Sequence, residues 1–268
     1  MSEVKIESPL DAEQRDRLIA IYSAVVDKMK EVVREFTITQ DEIHIAGDYL
    51  NRLGQSGFCR SLLDVNLAMT SVDATGKADG GTRPNLEGPF HRPHPMRPNG
   101  QLIDQSMPDH HPRLALSGRV TLSDRTMPVA GVILDFWQAD NEGHYDHEGY
   151  NLCGRVMTDQ DGRYRIETVV PRDYSDHDND PIGELFRAMG RHNRRAAHIH
   201  LKAVRDDEEL LTTQLFFPGS PYLDSDYVEG AVSEDLQVDL RETAFSRPDA
   251  LAYEAEFDIA LPHRARVA

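Results

Sequence analysis

From residue 114 onward the chain is a series of short, β-rich runs, and that series limits what it can fold into. The runs cover 114–122, 130–138, 163–169, 197–204, 210–217, 236–240 and 253–261. Turn signals such as Asp161-Gly162 and Pro218-Gly219 separate them. Several short strands in series predict a β-sandwich. Residues 180–189 read as a short helix between strands.

The first third follows a different period. Leu18, Tyr22, Val25, Met29, Val32 and Phe36 recur at alternating steps of four and three, which places them on one stripe of a helix. Asp11 with Gln14 starts that helix as a capping pair, and Thr39 with Glu42 starts a second, which runs towards Leu53 and stops at Gly54. A third apolar stretch spans 62–69. Residues 71–84 read as a linker, and 86–111, dense in Pro, Gly and His, as a long ordered loop across the next domain. The stripe from Leu18 to Phe36 either packs inside its own domain or pairs with the same helix of a second subunit.

Composition narrows the partners. The formal net charge of −17 repels a phosphate backbone, so nucleic acid is not an expected partner. No apolar run approaches the roughly 20 residues that span a bilayer. Residues 1–9 lack the apolar block of a signal peptide. Two cysteines, Cys59 and Cys153, do not make a disulfide scaffold, and a reducing cytoplasm is the expected setting.

Chemistry enters at His198-Ile199-His200. On a strand the two histidines share a face, about 7 Å apart, and can close on one metal ion. Alone, the pattern also describes paired surface or core histidines. Tyr145 and Tyr174 each follow a predicted strand, where a sandwich presents its loops. Alone, each could cap the core edge. Taken together, two phenolates and two neutral imidazoles form a hard, anionic donor set that suits ferric iron better than zinc or copper(I). A bound cation would hold the phenols ionised at neutral pH, well below their usual pKa near 10.

The same residues lie within a wider resemblance. Ser117-Gly118-Arg119-Val120, residues 129–138, Gly143-His144-Tyr145, Thr158-Asp159, Asp161-Gly162-Arg163-Tyr164, Pro171, Tyr174, Gly190-Arg191-His192, Ala197-His198-Ile199-His200 and Leu211-Thr212-Thr213-Gln214 resemble, in order, the intradiol ring-cleavage dioxygenases. Residues 33–39 and Glu87-Gly88-Pro89-Phe90 resemble the helical linker and active-site loop of its catechol and hydroxyquinol branch.

That resemblance implies a helical linker and dimerisation region over 1–85 and an iron-binding β-sandwich over 86–268. It implies one Fe(III) per chain held by Tyr145, Tyr174, His198 and His200. Tyr174 would be the ligand that leaves and accepts substrate protons, with Arg195 and Gln214 beside the substrate. The substrate would be a small aromatic diol cleaved with O2 between its two hydroxyl carbons. Glu87-Gly88-Pro89-Phe90 and residues 222–226 look most like the hydroxyquinol branch, with catechol and chlorocatechols as alternatives. The resemblance further implies a homodimer through the N-terminal helices, with a lipid at the interface. Small regulatory β-sandwich modules share Gly118-x-Val120 and residues 158–164, and a non-catalytic binding module is the alternative from another class.

Departures from the family pattern are local. The segment between Tyr145 and Tyr174 is short around residues 150–155, so Tyr150 competes with Tyr145. Tyr164 sits within a strand pattern and is expected in the core. Ala196 stands where proline is usual. His91 replaces an apolar or tyrosine residue, and His91 and His94 either alter the substrate pocket or, as expected, are solvated loop histidines.

Overall fold

The computed structural model describes residues 10–76, 80–104, 110–243 and 252–262. The N-terminal stretch 1–9, residues 77–79 of the expected linker and 105–109 of the long loop lie outside them. The strands are β1 (Arg113–Leu122), β2 (Ile133–Gln138), β3 (Cys153–Met157), β4 (Arg163–Val169), β5 (His198–Arg205), β6 (Glu208–Phe216), β7 (Arg241–Thr243), β8 (Ala252–Glu256) and β9 (Ile259–Leu261).

Alternation along these strands builds a sandwich of two sheets. One sheet runs β4-β1-β8-β7, with β9 also paired to β1, and the other runs β3-β2-β5-β6. Leu134 and Phe136 of β2, and Ile199, Leu201 and Ala203 of β5, face inward. They meet Leu114, Leu116, Val120 and Leu122 of β1 and Ile166 of β4 in one buried cluster. Each such side chain contributes about 1.5–3 kcal/mol by leaving water.

The other face of the second sheet positions the chemistry. Register sets Trp137 beside His200 and Asp135 beside Lys202 across β2 and β5, and Gln214 beside His200 across β5 and β6. The long loop crosses this outer face. It is tied to β6 where Asn85 N–H donates to the Thr212 carbonyl at 2.8 Å, and to β3 where Arg97 N–H donates to the Arg155 carbonyl and Arg155 N–H to the Pro95 carbonyl.

Several local expectations are corrected. β3 is a strand that no alternation announced, and it forms the sheet edge beside β2. Residues 236–240 are not a strand. They hold the end of a 3-10 turn, Glu234–Leu236, and one bridge from Gln237 to Phe216. The run 253–261 is split because Arg119 N–H bonds the Asp258 side chain at 2.8 Å instead of continuing the backbone ladder.

The helices are α1 (Ala12–Glu35), α2 (Gln40–Ser56), α3 (Cys59–Thr75) and α4 (Pro181–Ala188). Both expected capping boxes are present, Asp11 with Gln14 and Thr39 with Glu42. α2 passes Gly54 and ends at Gly57, whose left-handed φ of 81° closes the cap. α3 extends beyond 62–69 and takes residues 71–75 from the expected linker. The chain divides into two compact units, Met1–Gly57 with α1 and α2, and Phe58–Ala268 with α3 and the sandwich. No helix among the described residues is long and apolar enough to cross a membrane.

Candidate metal centre

Alternation along β5 points both imidazoles out of the sandwich, with His198 Nε2 and His200 Nε2 3.1 Å apart. Tyr174 comes from the segment after β4, where it forms a two-residue bridge with Arg195 just before β5. Its hydroxyl lies 3.5 Å from His198 Nε2. Tyr145 comes from the turn after β2, which Asp140 closes by accepting the Glu142 and His144 amides. Its hydroxyl lies 3.5 Å from that of Tyr174. Gly143 permits this approach: it has φ 87°, and a Cβ there would sit 3.0 Å from the Asp173 carbonyl and 3.1 Å from Tyr174 Cβ. All four donor atoms thus lie in one chain of close contacts.

Protonation states follow from burial. Both imidazoles are held well below their ordinary pKa, His198 by burial and the Arg195 charge, His200 by burial and then His198. His198 Nδ1–H donates to the Ala196 carbonyl at 2.6 Å, which leaves Nε2 as a lone pair. His200 Nδ1 is buried without a partner, and its ring stacks on Trp137 at 4.7 Å and 4°. Burial also raises the Tyr145 and Tyr174 phenols above their usual range, so without a cation they keep their protons. Two neutral imidazoles and two phenol oxygens with no counter-charge among them fit a metal ion, which would take a lone pair from each ring and ionise the phenols.

Arg195 is buried beside this group. Its Nε donates to both Asp226 oxygens, at 3.0 and 3.2 Å, and a terminal nitrogen donates to Gln214 Oε1 at 2.7 Å. Gln214 Nε2 in turn donates to the Leu86 carbonyl at 2.9 Å, tying the loop to the site. Lys202 holds Glu87 of the same loop. Gly88 brings the loop backbone so close to the metal-facing row that a Cβ would sit 3.2 Å from His200 Cε1. Phe90 covers Tyr145, with ring centroids 4.5 Å apart.

The structure brings Tyr145, Tyr174, Arg195, His198, His200 and Gln214 together. Tyr150 is apart from them, exposed under the Arg92 guanidinium. Tyr164 donates its hydroxyl to the Phe257 carbonyl at 2.8 Å within the sandwich core. The solvated placement expected of His91 and His94 is corrected: His94 is buried, and both rings turn onto the Asp135 carboxylate. Asp226 stands in the sequence only within the 222–226 likeness and Trp137 only within residues 129–138, neither with a role of its own. Trp137 was signalled by the period of β2, which sets it on the same face as Asp135. Asp226 lies 31 residues beyond the arginine it holds, and no local pattern links the two.

A family model described as Dioxygenase matches residues 86–262. The chain is 32% identical over 226 residues to the chlorocatechol 1,2-dioxygenase of Pseudomonas sp. (strain P51), covering 82% of this chain and 89% of that protein. It is 33% identical over 242 residues to the hydroxyquinol 1,2-dioxygenase of Rhizobium sp. (strain MTP-10005), covering 84% and 80%. The crystal structure of 3-chlorocatechol 1,2-dioxygenase from Rhodococcus opacus 1CP aligns with a TM-score of 0.84 at 25% identity, covering 92% of this chain and 99% of that one.

Proposed function

This chain belongs to the intradiol ring-cleavage dioxygenases, and we propose that Tyr145, Tyr174, His198 and His200 hold one ferric ion per chain for the cleavage of hydroxyquinol. The family acts on catechol-type diols with non-haem iron, and 1,2-cleavage of such a substrate is the chain's reaction class. The observation that carries the ligand set is the run of contacts at 3.5, 3.5 and 3.1 Å from Tyr145 through Tyr174 and His198 to His200.

Bound there, the iron would supply Lewis acidity toward the two substrate hydroxyls and the electron relay between ring and O2. The chain's own groups do the rest. Burial, chiefly, makes the Tyr174 phenolate a strong base, so its oxygen accepts a proton from a substrate hydroxyl as the diol binds. Tyr145, His198 and His200 keep their places, because Asp140 fixes the first turn and the Ala196 carbonyl fixes the His198 ring. Arg195 stays charged: burial opposes its proton, but the Asp226 carboxylate together with Tyr174, Tyr227 and Tyr145 outweighs burial. Its guanidinium stabilises negative charge on the ring oxygens, a preorganised interaction of about 3–4 kcal/mol where water is excluded. Phe90 over Tyr145 supplies the apolar wall. Both oxygen atoms of O2 end in the ring-opened dicarboxylate, of the maleylacetate type from hydroxyquinol.

The preference for hydroxyquinol rests on the likeness of residues 87–90 and 222–226 to that branch. Oxygen uptake by the iron-loaded protein tests it, with hydroxyquinol, catechol and 3-chlorocatechol compared. Turnover of hydroxyquinol at least tenfold faster is the expected result; faster catechol or chlorocatechol turnover assigns the chain to those substrates instead.

Assembly is part of the same reading. Along α1, Leu18, Tyr22, Val25, Met29, Val32 and Phe36 all lie exposed. A continuous apolar stripe of this size favours pairing with a second copy, with a lipid covering the remainder. Two free cysteines fit a cytoplasmic setting.

A further inference from the structure

We propose that His91, His94 and Asp135 form a second metal site, for a divalent ion of the zinc and cobalt(II) class, separate from the tyrosine–histidine centre. The three residues come from the crossing loop and from β2. One ligand atom from each lies within 4.8 Å of the others. His94 Nδ1 is 2.6 Å from Asp135 Oδ1, and His91 Nε2 is 3.3 Å from Oδ2. Two imidazoles and one carboxylate suit borderline divalent ions, and bonds of about 2.0–2.2 Å need only small side-chain rotations from these positions.

The charge balance at Asp135 points the same way. Its side chain is 7% exposed. Each carboxylate oxygen faces one imidazole, and among the described residues no lysine, arginine or backbone amide bonds to it. Lys202, its neighbour across β5, is already held by Glu87 and Glu209. A buried carboxylate whose side-chain partners are two imidazoles presents an anionic oxygen to each ring and is a ready partner for a cation between them. Room for the cation's remaining ligands is present. A cavity of about 230 Å³ opens on His91 and His94; Trp137 and Cys153 line it too, and it reaches Phe90 and Tyr145 of the first centre. Three protein donors with an open side describe a site that binds its ion with water completing the shell.

Trp137 separates the two centres. His91 packs on it at 4.7 Å between ring centroids, and its ring stacks on His200 at 4.7 Å. The donor sets share no residue, so each site can be removed alone.

The test titrates iron-loaded, desalted protein with Co2+ by visible absorption and with Zn2+ by calorimetry, iron content being measured in parallel. One Co2+ per chain beyond the iron is expected, with ligand-field bands, and binding at least tenfold weaker in His94→Ala and Asp135→Asn. His91→Ala, at the cavity rim, gives the same reading if either buried substitution fails to fold. Retained tyrosinate colour in these variants shows that the iron centre is intact, and His200→Ala should do the reverse. No second equivalent in the parent protein overturns the proposal and leaves a hydrogen-bonded histidine–carboxylate cluster. Cobalt binding unchanged in the folded variants overturns it as well.

Discussion

The carboxylate of Asp226 grips the guanidinium of Arg195 through Nε while also accepting the Ala196 N–H at 2.8 Å. One side chain therefore sets both the charge beside the donor group and the backbone two residues before His198. It also accepts the Val228 amide at 2.8 Å, which fixes its own rotamer. Asp226 is expected to act through Arg195, as a positioning residue.

Replacing it should separate position from presence. Asp226→Asn keeps an acceptor but removes the counter-charge, and kcat is expected to fall by about 10-fold to 100-fold. That is less than the roughly 10²–10³ expected for losing a preorganised donor outright. KM should move less than kcat, and Asp226→Glu should recover part of the rate. Asp226→Ala strands a buried charge and should cost about 3–5 kcal/mol of stability by denaturant titration. Equal losses in KM and kcat, with no recovery by glutamate, would assign Asp226 a purely structural part.

Tyr174 and Tyr164 are both buried tyrosines with different partners, and they should respond differently. In iron-loaded protein, Tyr174→Phe should weaken or shift the tyrosinate-to-iron absorption and lower turnover by about 10²-fold or more. Tyr164→Phe should leave the absorption in place and cost about 1–2 kcal/mol, because only the bond to the Phe257 carbonyl is lost. Colour and rate both unchanged in Tyr174→Phe would remove it from the ligand set.

The two thiols are expected to differ in reactivity. Cys59 is exposed and Cys153 is buried, and burial, first among several causes, raises the Cys153 thiol to about 11. A raised acid pKa means the native state prefers the protonated thiol. The stability tied to it is intact below the unfolded pKa near 9 and is lost as pH rises through about 11. At pH 8 a disulfide reagent should therefore titrate one thiol in folded protein and two after denaturation. Two fast thiols in the folded chain would contradict the burial of Cys153.

The apolar stripe of α1 predicts assembly. Val25→Glu combined with Met29→Glu places charges on exposed positions of that stripe. Light scattering should report a dimer for the parent chain and a monomer for the double variant, while helicity stays unchanged. A monomeric parent at working concentration would remove the dimer.

Much of this molecule was legible in residue order because local rules suffice for it. Capping boxes at Asp11 and Thr39 start helices by satisfying their own first amides. Alternation along β5 decides that His198 and His200 share a face and that Ile199 and Leu201 enter the core. The edge strand β3 escaped because its Cys153-Gly154-Arg155 start carries no apolar alternation, and its pairing is supplied by β2 and by the loop at Pro95. The run at 236–240 looked like a strand because β propensity does not say whether a partner is free.

Chain order by itself determined the period of the capped helices and of β5, the shared face of the two histidines and the chemical types of the donors, since all three depend on neighbours in sequence. Only the tertiary structure decided that Tyr145 and Tyr174 close to 3.5 Å, that Asp226 reaches Arg195 across 31 residues, and that His91 and His94 turn inward onto Asp135. Those distances are set by how sheets and loops pack around one core, and packing distance between remote segments leaves no periodic trace in a sequence.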